Sequence, residues 1–240
     1  MKKYGIAERF TSLQGEGLYT GTMMHFVRFS GCSVGKSDKP PQHLAISEHD
    51  PLNIYRETCT TYDGRKFLCD TDFRTKEALS VDEIIAGIPD GVDRVCLTGG
   101  EPLDRDLTPL LNDLAMHPSR NLYVHIETSG TKSILKAFPE YSEMDQRHHD
   151  GGWLWITVSP KFGCLPSMIE CADEIKILVD KDFDIKKLPT SLMKHPLVWL
   201  QPVNEEFDVH DPNVQKCLGL IREYPSFRLS MQMHKIWRVR

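Results

Sequence analysis

The run Arg94-Val95-Cys96-Leu97-Thr98-Gly99-Gly100-Glu101-Pro102, continued through Leu114, decides the fold class. A short apolar stretch ends in two glycines, and Leu107, Leu110, Leu111 and Leu114 then recur at helical spacing. Strand, glycine turn and amphipathic helix in that order form the repeating unit of a parallel sheet, whose strands are covered on both faces and read as continuous hydrophobicity. Similar runs lie on either side: MHFVRFSG at 24–31, NLYVHIETSG at 121–130 and WLWITVSPK at 153–161. EIKILVD at 174–180, LVWLQPV at 197–203 and RLSMQMH at 228–234 complete the set. Between them, Ser80-Val81-Asp82-Glu83 spells a capping box that opens the apolar set Val81, Ile84, Ile85 and Ile88. Leu218, Leu220 and Ile221 predict a further helix before the last strand. Strands alternating with helices through right-handed crossovers give a doubly wound sheet or a barrel. Six or seven units fall short of the eight of a closed barrel, so the expectation is α/β, a partial (β/α) barrel of about six parallel strands.

A length of 240 residues fits one large domain, 1–240. The composition, 40% hydrophobic and 26% charged, is that of a soluble globular protein. With a formal net charge of −5 and no basic block, neither nucleic acid nor an anionic membrane is an expected partner. No apolar run approaches the ~20 residues that span a bilayer. MKKYGIAERF has two lysines but no apolar stretch behind them, so it does not read as a signal peptide. Seven cysteines is an odd count that does not suit a secreted disulfide framework. The expected setting is the cytoplasm, where thiols stay reduced or bind metal.

From Ser33 to Phe73 the chain is polar and without clear periodicity, which marks an insertion at about 33–68. A long structureless stretch inside a compact domain needs a function. Cys32, Cys59 and Cys69 lie at its start, within it and near its end. Three thiolates that leave one iron open suit a [4Fe–4S] cluster whose fourth iron takes another molecule. Their spacing matches no general metal motif, and a small buried hydrophobe is the competing reading of any single cysteine.

The residues around the cysteines carry more. Ser12-Leu13-Gln14-Gly15-Glu16-Gly17, Gly21 and Phe26-Val27-Arg28-Phe29-Ser30-Gly31-Cys32 resemble the N-terminus of the 7-carboxy-7-deazaguanine synthases, members of the radical S-adenosylmethionine superfamily. Cys69-Asp70-Thr71 resembles the end of that family's cluster motif. Thr98-Gly99-Gly100-Glu101-Pro102, Glu127-Thr128-Ser129-Gly130 and Val158-Ser159-Pro160-Lys161 follow in the family's order. Leu200-Gln201-Pro202 and the segment Arg228 to Lys235 close it, so the resemblance spans nearly the whole chain. There is one departure. Radical S-adenosylmethionine proteins usually carry C-x3-C-x2-C, but Lys36 stands four after Cys32 and Lys66 three before Cys69. Cys59 is the other cysteine of the inserted segment and is the expected second ligand, since the cost of closing a loop grows only slowly with its length.

The resemblance implies a [4Fe–4S] cluster on Cys32 and Cys69, to which Cys59 is added by elimination, with S-adenosylmethionine at the open iron. Asp70, Thr98, Gly99, Gly100 and Glu101 are the expected cofactor-binding residues of the first half. Glu127, Ser129, Ser159, Lys161 and Gln201 supply the rest. The pterin substrate is expected against Leu13, Gln14, Gly15 and Glu16, with Arg28, Thr98 and His234, and Thr71 is expected to hold Mg²⁺. A buried arginine needs an anionic partner, so Arg28 is either a clamp on a substrate carboxylate or half of an internal ion pair. No side chain is expected to be catalytic in itself, because the radical arises from cofactor and cluster. The implied reaction is a ring contraction of 6-carboxy-5,6,7,8-tetrahydropterin to 7-carboxy-7-deazaguanine with loss of ammonia, a lyase step towards queuosine-type bases. A flavodoxin- or ferredoxin-type reductant and a homodimer come with it. Two alternatives compete: another radical S-adenosylmethionine enzyme such as a glycyl-radical activase, and a non-catalytic Cys/His zinc module. Cys96, inside a predicted core strand, reads as structural.

Overall fold

The computed structural model describes residues 2–34, 58–69, 71–74, 77–141, 152–203 and 211–239. In chain order the first half forms β1 (Lys3–Leu13), β2 (Met23–Phe29), β3 (Thr58–Thr60), β4 (Lys66–Leu68) and β5 (Glu77–Ser80). Next come α1 (Val81–Ala86), β6 (Arg94–Gly99), α2 (Thr108–Ala115), β7 (Tyr123–Thr128) and α3 (Ile134–Ala137). The second half gives β8 (Leu154–Val158), α4 (Pro166–Glu170), β9 (Glu174–Val179), α5 (Thr190–Met193) and β10 (Val198–Pro202). It ends in α6 (Asp211–Glu223), β11 (Arg228–Leu229) and α7 (Met233–Trp237).

Nine strands make one sheet in the order β11-β10-β9-β8-β7-β6-β2-β1-β5. From β2 to β11 all neighbours are parallel. This is the expected partial β/α barrel: six parallel strands of five or more residues, plus the two-residue β11. The sequence reading left out the antiparallel pair that extends the sheet, β1 on β2 and β5 on β1. β1 mixes charged and apolar residues, yet Tyr4, Ile6 and Ala7 are buried. It also left out the hairpin β3–β4. The run at 228–234 is corrected: only Arg228 and Leu229 are strand, and the chain then turns into α7, which carries His234.

Alternation along each parallel strand sorts the residues between two environments. Val27, Phe29, Val95, Leu97, Val124 and Ile126 face the helices and join one core with Leu107, Leu110, Leu111 and Leu114 of the second helical segment. Ser80 caps α1, accepting from Glu83 N at 3.2 Å while Glu83 Oε2 accepts from Ser80 N at 2.7 Å. A cap of this kind stabilises by ~1 kcal/mol. In α6 the core residues are Asn213, Cys217 and Leu220, with Ile221 packed at the edge. The opposite side of the strands lines the barrel interior. Cys96 is fully buried there with Met24 and Phe26, as a structural residue should be. His125 lies at the same level, beneath the edge of the Tyr19 ring. Burial first, and then the Arg94 cation, push its pKa down to about 3. The neutral ring accepts from Arg94 Nη1 at 3.0 Å.

Candidate active site

Above this layer, at the C-terminal ends of the parallel strands, the interior opens into a cavity of about 330 Å³. That size and position are usual for a small-molecule site in a β/α barrel. The cavity wall includes Cys32, Cys59, Cys69 and Thr71 of the expected metal ligands. It includes Leu13, Gln14, Gly15, Glu16, Arg28, Thr98 and His234 of the expected substrate residues. Gly99, Gly100, Glu101, Glu127, Ser129, Ser159, Lys161 and Gln201 line it too. Asp70 and Lys36 lie outside the described residues, as do positions 35–57 of the expected insertion.

The end of the insertion explains how a cysteine from mid-segment reaches the cavity. In the hairpin β3–β4, Cys59 pairs with Phe67, and Thr60 with Lys66. Directly paired residues share a face, and side chains two apart along a strand do as well. Cys59 and Phe67 therefore line the main cavity with Cys69, two residues on. Thr58, Thr60 and Lys66 line a separate cavity. A backbone bridge from Thr61 to Lys161 fastens the hairpin to the end of β8, and the Lys161 ammonium sits 5.6 Å from the Phe67 ring centre. Burial raises the Cys59 thiol pKa, and Lys161 acts against it.

Gly100 sets the position of Cys32. A Cβ on Gly100 would collide with the Gly31 carbonyl and stand 3.3 Å from Cys32 Cβ. The glycine is required by the close approach of the cysteine loop as well as by any ligand. Glu101 beside it is buried and holds strand ends together. One carboxylate oxygen accepts from Leu103 N (3.1 Å) and Thr128 Oγ1 (2.6 Å), the other from Ser129 N (2.9 Å) and the Ser129 hydroxyl. Its side chain thus reaches the cavity wall with its acceptors already occupied by the protein.

On the opposite wall, the loop Gln14–Gly17 is held down by α7. Gly15 O accepts from Met233 N at 2.9 Å, and a Cβ on Gly15 would collide with the His234 ring. Glu16 Oε1 accepts from Gln201 Nε2 (3.1 Å) and Gln232 Nε2 (2.9 Å), and Oε2 from Lys176 Nζ. Burial alone would raise the Glu16 pKa. The Lys176 charge, its hydrogen bond and that of Gln232 outweigh burial and hold it at about 2. Glu127 receives Gln14 Nε2 at 3.2 Å, Thr98 Oγ1 at 3.0 Å and Lys176 Nζ at 3.5 Å. Arg28 donates from Nε to Glu8 at 2.7 Å and from Nη1 to Thr71 at 3.4 Å. The internal ion pair exists, and Arg28 also lines the cavity.

Lys176, Gln232, Phe10, Phe26, Thr157 and Leu178 also line the site and were not read from the sequence. For Lys176 a signal existed: Glu174-Ile175-Lys176-Ile177 alternates, and its polar members face the interior.

Among the described residues, no three His, Cys, Asp or Glu side chains converge as the ligands of a single ion would, which is the set tetrahedral zinc requires. A four-iron cluster asks for something else. Each thiolate binds its own iron, so the sulfurs surround a cube and not a point. Three thiols on one wall, beside a buried lysine and hydroxyl groups, fit that demand.

No family model matches the chain. It is 31% identical over 242 residues to a 7-carboxy-7-deazaguanine synthase of Synechocystis sp., covering 99% of this chain and 94% of the relative. For the synthase of Bacteroides thetaiotaomicron the figures are 30% over 240 residues and 98% of each. For that of Escherichia coli they are 29% over 248 residues and 97% of each. The crystal structure of QueE from Escherichia coli superposes with a TM-score of 0.63 at 28% identity, covering 95% of this chain and 93% of that one. With sequence and fold both shared over nearly the full length, the chain belongs to the 7-carboxy-7-deazaguanine synthase family.

Proposed function

We propose that the chain is a radical S-adenosylmethionine carbon–nitrogen lyase, one unit over residues 1–240, that contracts 6-carboxy-5,6,7,8-tetrahydropterin to 7-carboxy-7-deazaguanine with loss of ammonia. One observation carries the reading: Cys32, from the loop after β2, and Cys59 and Cys69, from the β3–β4 hairpin and the residue after it, share a single cavity with the Gln14–Gly17 loop, Arg28 and His234. A [4Fe–4S] cluster with S-adenosylmethionine supplies, when bound, the electron and the 5′-deoxyadenosyl radical that removes a hydrogen atom from the substrate.

The protein's own residues bind, orient and exclude water. The three cysteines hold the cluster, and Gly100 lets the Cys32 loop lie close enough to take part. Ser159, Lys161, Thr98, Ser129 and Gln201 present polar groups to the cofactor from successive strand ends. Burial pushes the Lys161 pKa down, with the neighbouring thiols acting against it. Glu16 and Gln14 offer acceptors to the N–H-rich edge of a pterin. Arg28, with Nε taken by Glu8, has its terminal nitrogens for a substrate carboxylate beside Thr71, the residue for Mg²⁺. Walls from six parallel strands restrict water and fix the reacting atoms at near-attack distance, ~3–3.5 Å. A flavodoxin- or ferredoxin-type donor, a homodimer and a cytoplasmic setting belong to the same reading. No helix among the described residues is long and apolar enough to cross a membrane.

The test is anaerobic reconstitution with iron and sulfide, followed by incubation with S-adenosylmethionine, reductant and the tetrahydropterin. The expected result is 7-carboxy-7-deazaguanine by mass spectrometry. A reconstituted protein that cleaves S-adenosylmethionine and leaves the pterin intact would discard the substrate.

A further inference from the structure

Lys176 lies in the middle of β9, about 5% exposed, with its ammonium in the barrel interior. It touches Glu16, from the loop after β1, and stands 3.5 Å from Glu127, at the end of β7. These two carboxyl groups come from different elements of the barrel, and Lys176 is in ionic contact with both. Glu174, two residues away on the same strand, also faces inward and accepts from Leu18 N, Trp199 Nε1 and Thr157 Oγ1. The other charged or titratable groups near this centre are Lys161, Arg28, His234 and Cys96. Of the cations, Lys161 donates to Ser159 and Arg28 to Glu8, so neither is in an ion pair with Glu16 or Glu127.

We propose that Lys176 is a positioning residue that keeps Glu16 and Glu127 both available as hydrogen-bond acceptors for the N–H edge of the substrate, an inference resting on the pterin reading above. A carboxylate offers about four acceptor positions on two oxygens. Glu16 receives three protein donors and so keeps capacity for a ligand. Removing the ammonium would leave two carboxyl groups close together in a buried site. Like charges in such a site force one member to take up a proton near neutral pH. A protonated member becomes a donor, aims its proton at its neighbour, and loses the acceptor that the pterin edge requires. A purely structural ion pair would behave differently, lowering stability with no pH-dependent effect on the ligand.

The test compares wild type with Lys176→Gln, which keeps a hydrogen-bond donor and loses the charge. Full-length reconstituted enzyme is titrated with 6-carboxypterin from about pH 6 to about pH 9. The ratio of variant to wild-type Kd cancels the ligand's own titration. We expect a ratio of about tenfold or more at the acid end, falling towards unity at the alkaline end, since each pK unit is a factor of ten in the ionised fraction. pH-difference infrared spectra of the ligand-free enzyme should show a protonated carboxyl band that titrates near neutrality in the variant only. A constant ratio, or no such band, overturns the proposal. A wild type that never binds 6-carboxypterin, with the band still confined to the variant, removes the substrate reading and leaves the charge role standing. Should Lys176→Gln not accumulate, Lys176→Arg decides: its retained charge must keep the ratio flat, and a sloping one refutes the inference.

Discussion

Replacing Glu101 by glutamine tests whether this residue is a structural fastener or a cofactor ligand. Its buried carboxylate receives four donors, two on each oxygen. Glutamine keeps one oxygen for Leu103 N and Thr128 Oγ1, but its amide nitrogen turns towards Ser129 N. The Ser129 hydroxyl can rotate and accept from the amide; the Ser129 backbone N–H cannot. One partly buried donor is therefore orphaned, at a cost of about 2 kcal/mol. Glu101→Ala leaves four donors without an acceptor and should cost about 4 kcal/mol or more. In a chain of this size 1 kcal/mol moves Tm by about 2–4 °C, so the expected losses are about 4–8 °C and at least about 8 °C. Urea unfolding followed by circular dichroism gives the free energies, with the slope checking that the unfolded states are comparable. An unchanged midpoint for Glu101→Gln would refute the reasoning, and if S-adenosylmethionine binding were lost at the same time, Glu101 would be a ligand of the cofactor.

Gly100→Ala should displace the Gly31–Cys32 turn, costing ~1–3 kcal/mol as an overpacked contact and lowering iron content. Gly91→Ala, also in a turn but with open space at its Cβ, should lose stability and keep its iron, by thermal melts and iron assay. Cys59→Ala should fail to hold the roughly four irons of a full cluster after reconstitution, whereas Cys164→Ala, which is not part of the cavity wall, should hold them. His125 is held at about 3 in the fold. The unfolded chain therefore binds the extra proton from about pH 6.5 downwards, and stability is full above that pH and falls as pH drops towards 3. The loss by pH 5 is about 2 kcal/mol, and in denaturant titrations at several pH values His125→Asn should flatten that slope.

The sequence by itself determined the repeating strand–helix units, because a strand buried on both faces and a helix with one apolar stripe have periods that survive without tertiary context. It determined the capping box at Ser80 for the same reason: both partners of that contact are three residues apart. The family motifs were likewise local words, and all the expected site residues among those described line one cavity. The antiparallel edge was not legible, since β1 becomes a strand by pairing with β2 and β5, and its mixed surface carries no clean alternation. Nor could the sequence say how Cys59 reaches Cys69. Spacing gives a distance along the chain, while hairpin register decides which face a side chain takes, and a slip of one residue would have put Cys59 beside Lys66. The role of Lys176 was decided by tertiary structure alone. A lysine in an apolar strand is explained only by the carboxyl groups that surround it: Glu174 lies on its own strand, but Glu16 and Glu127 reach it only when the barrel forms.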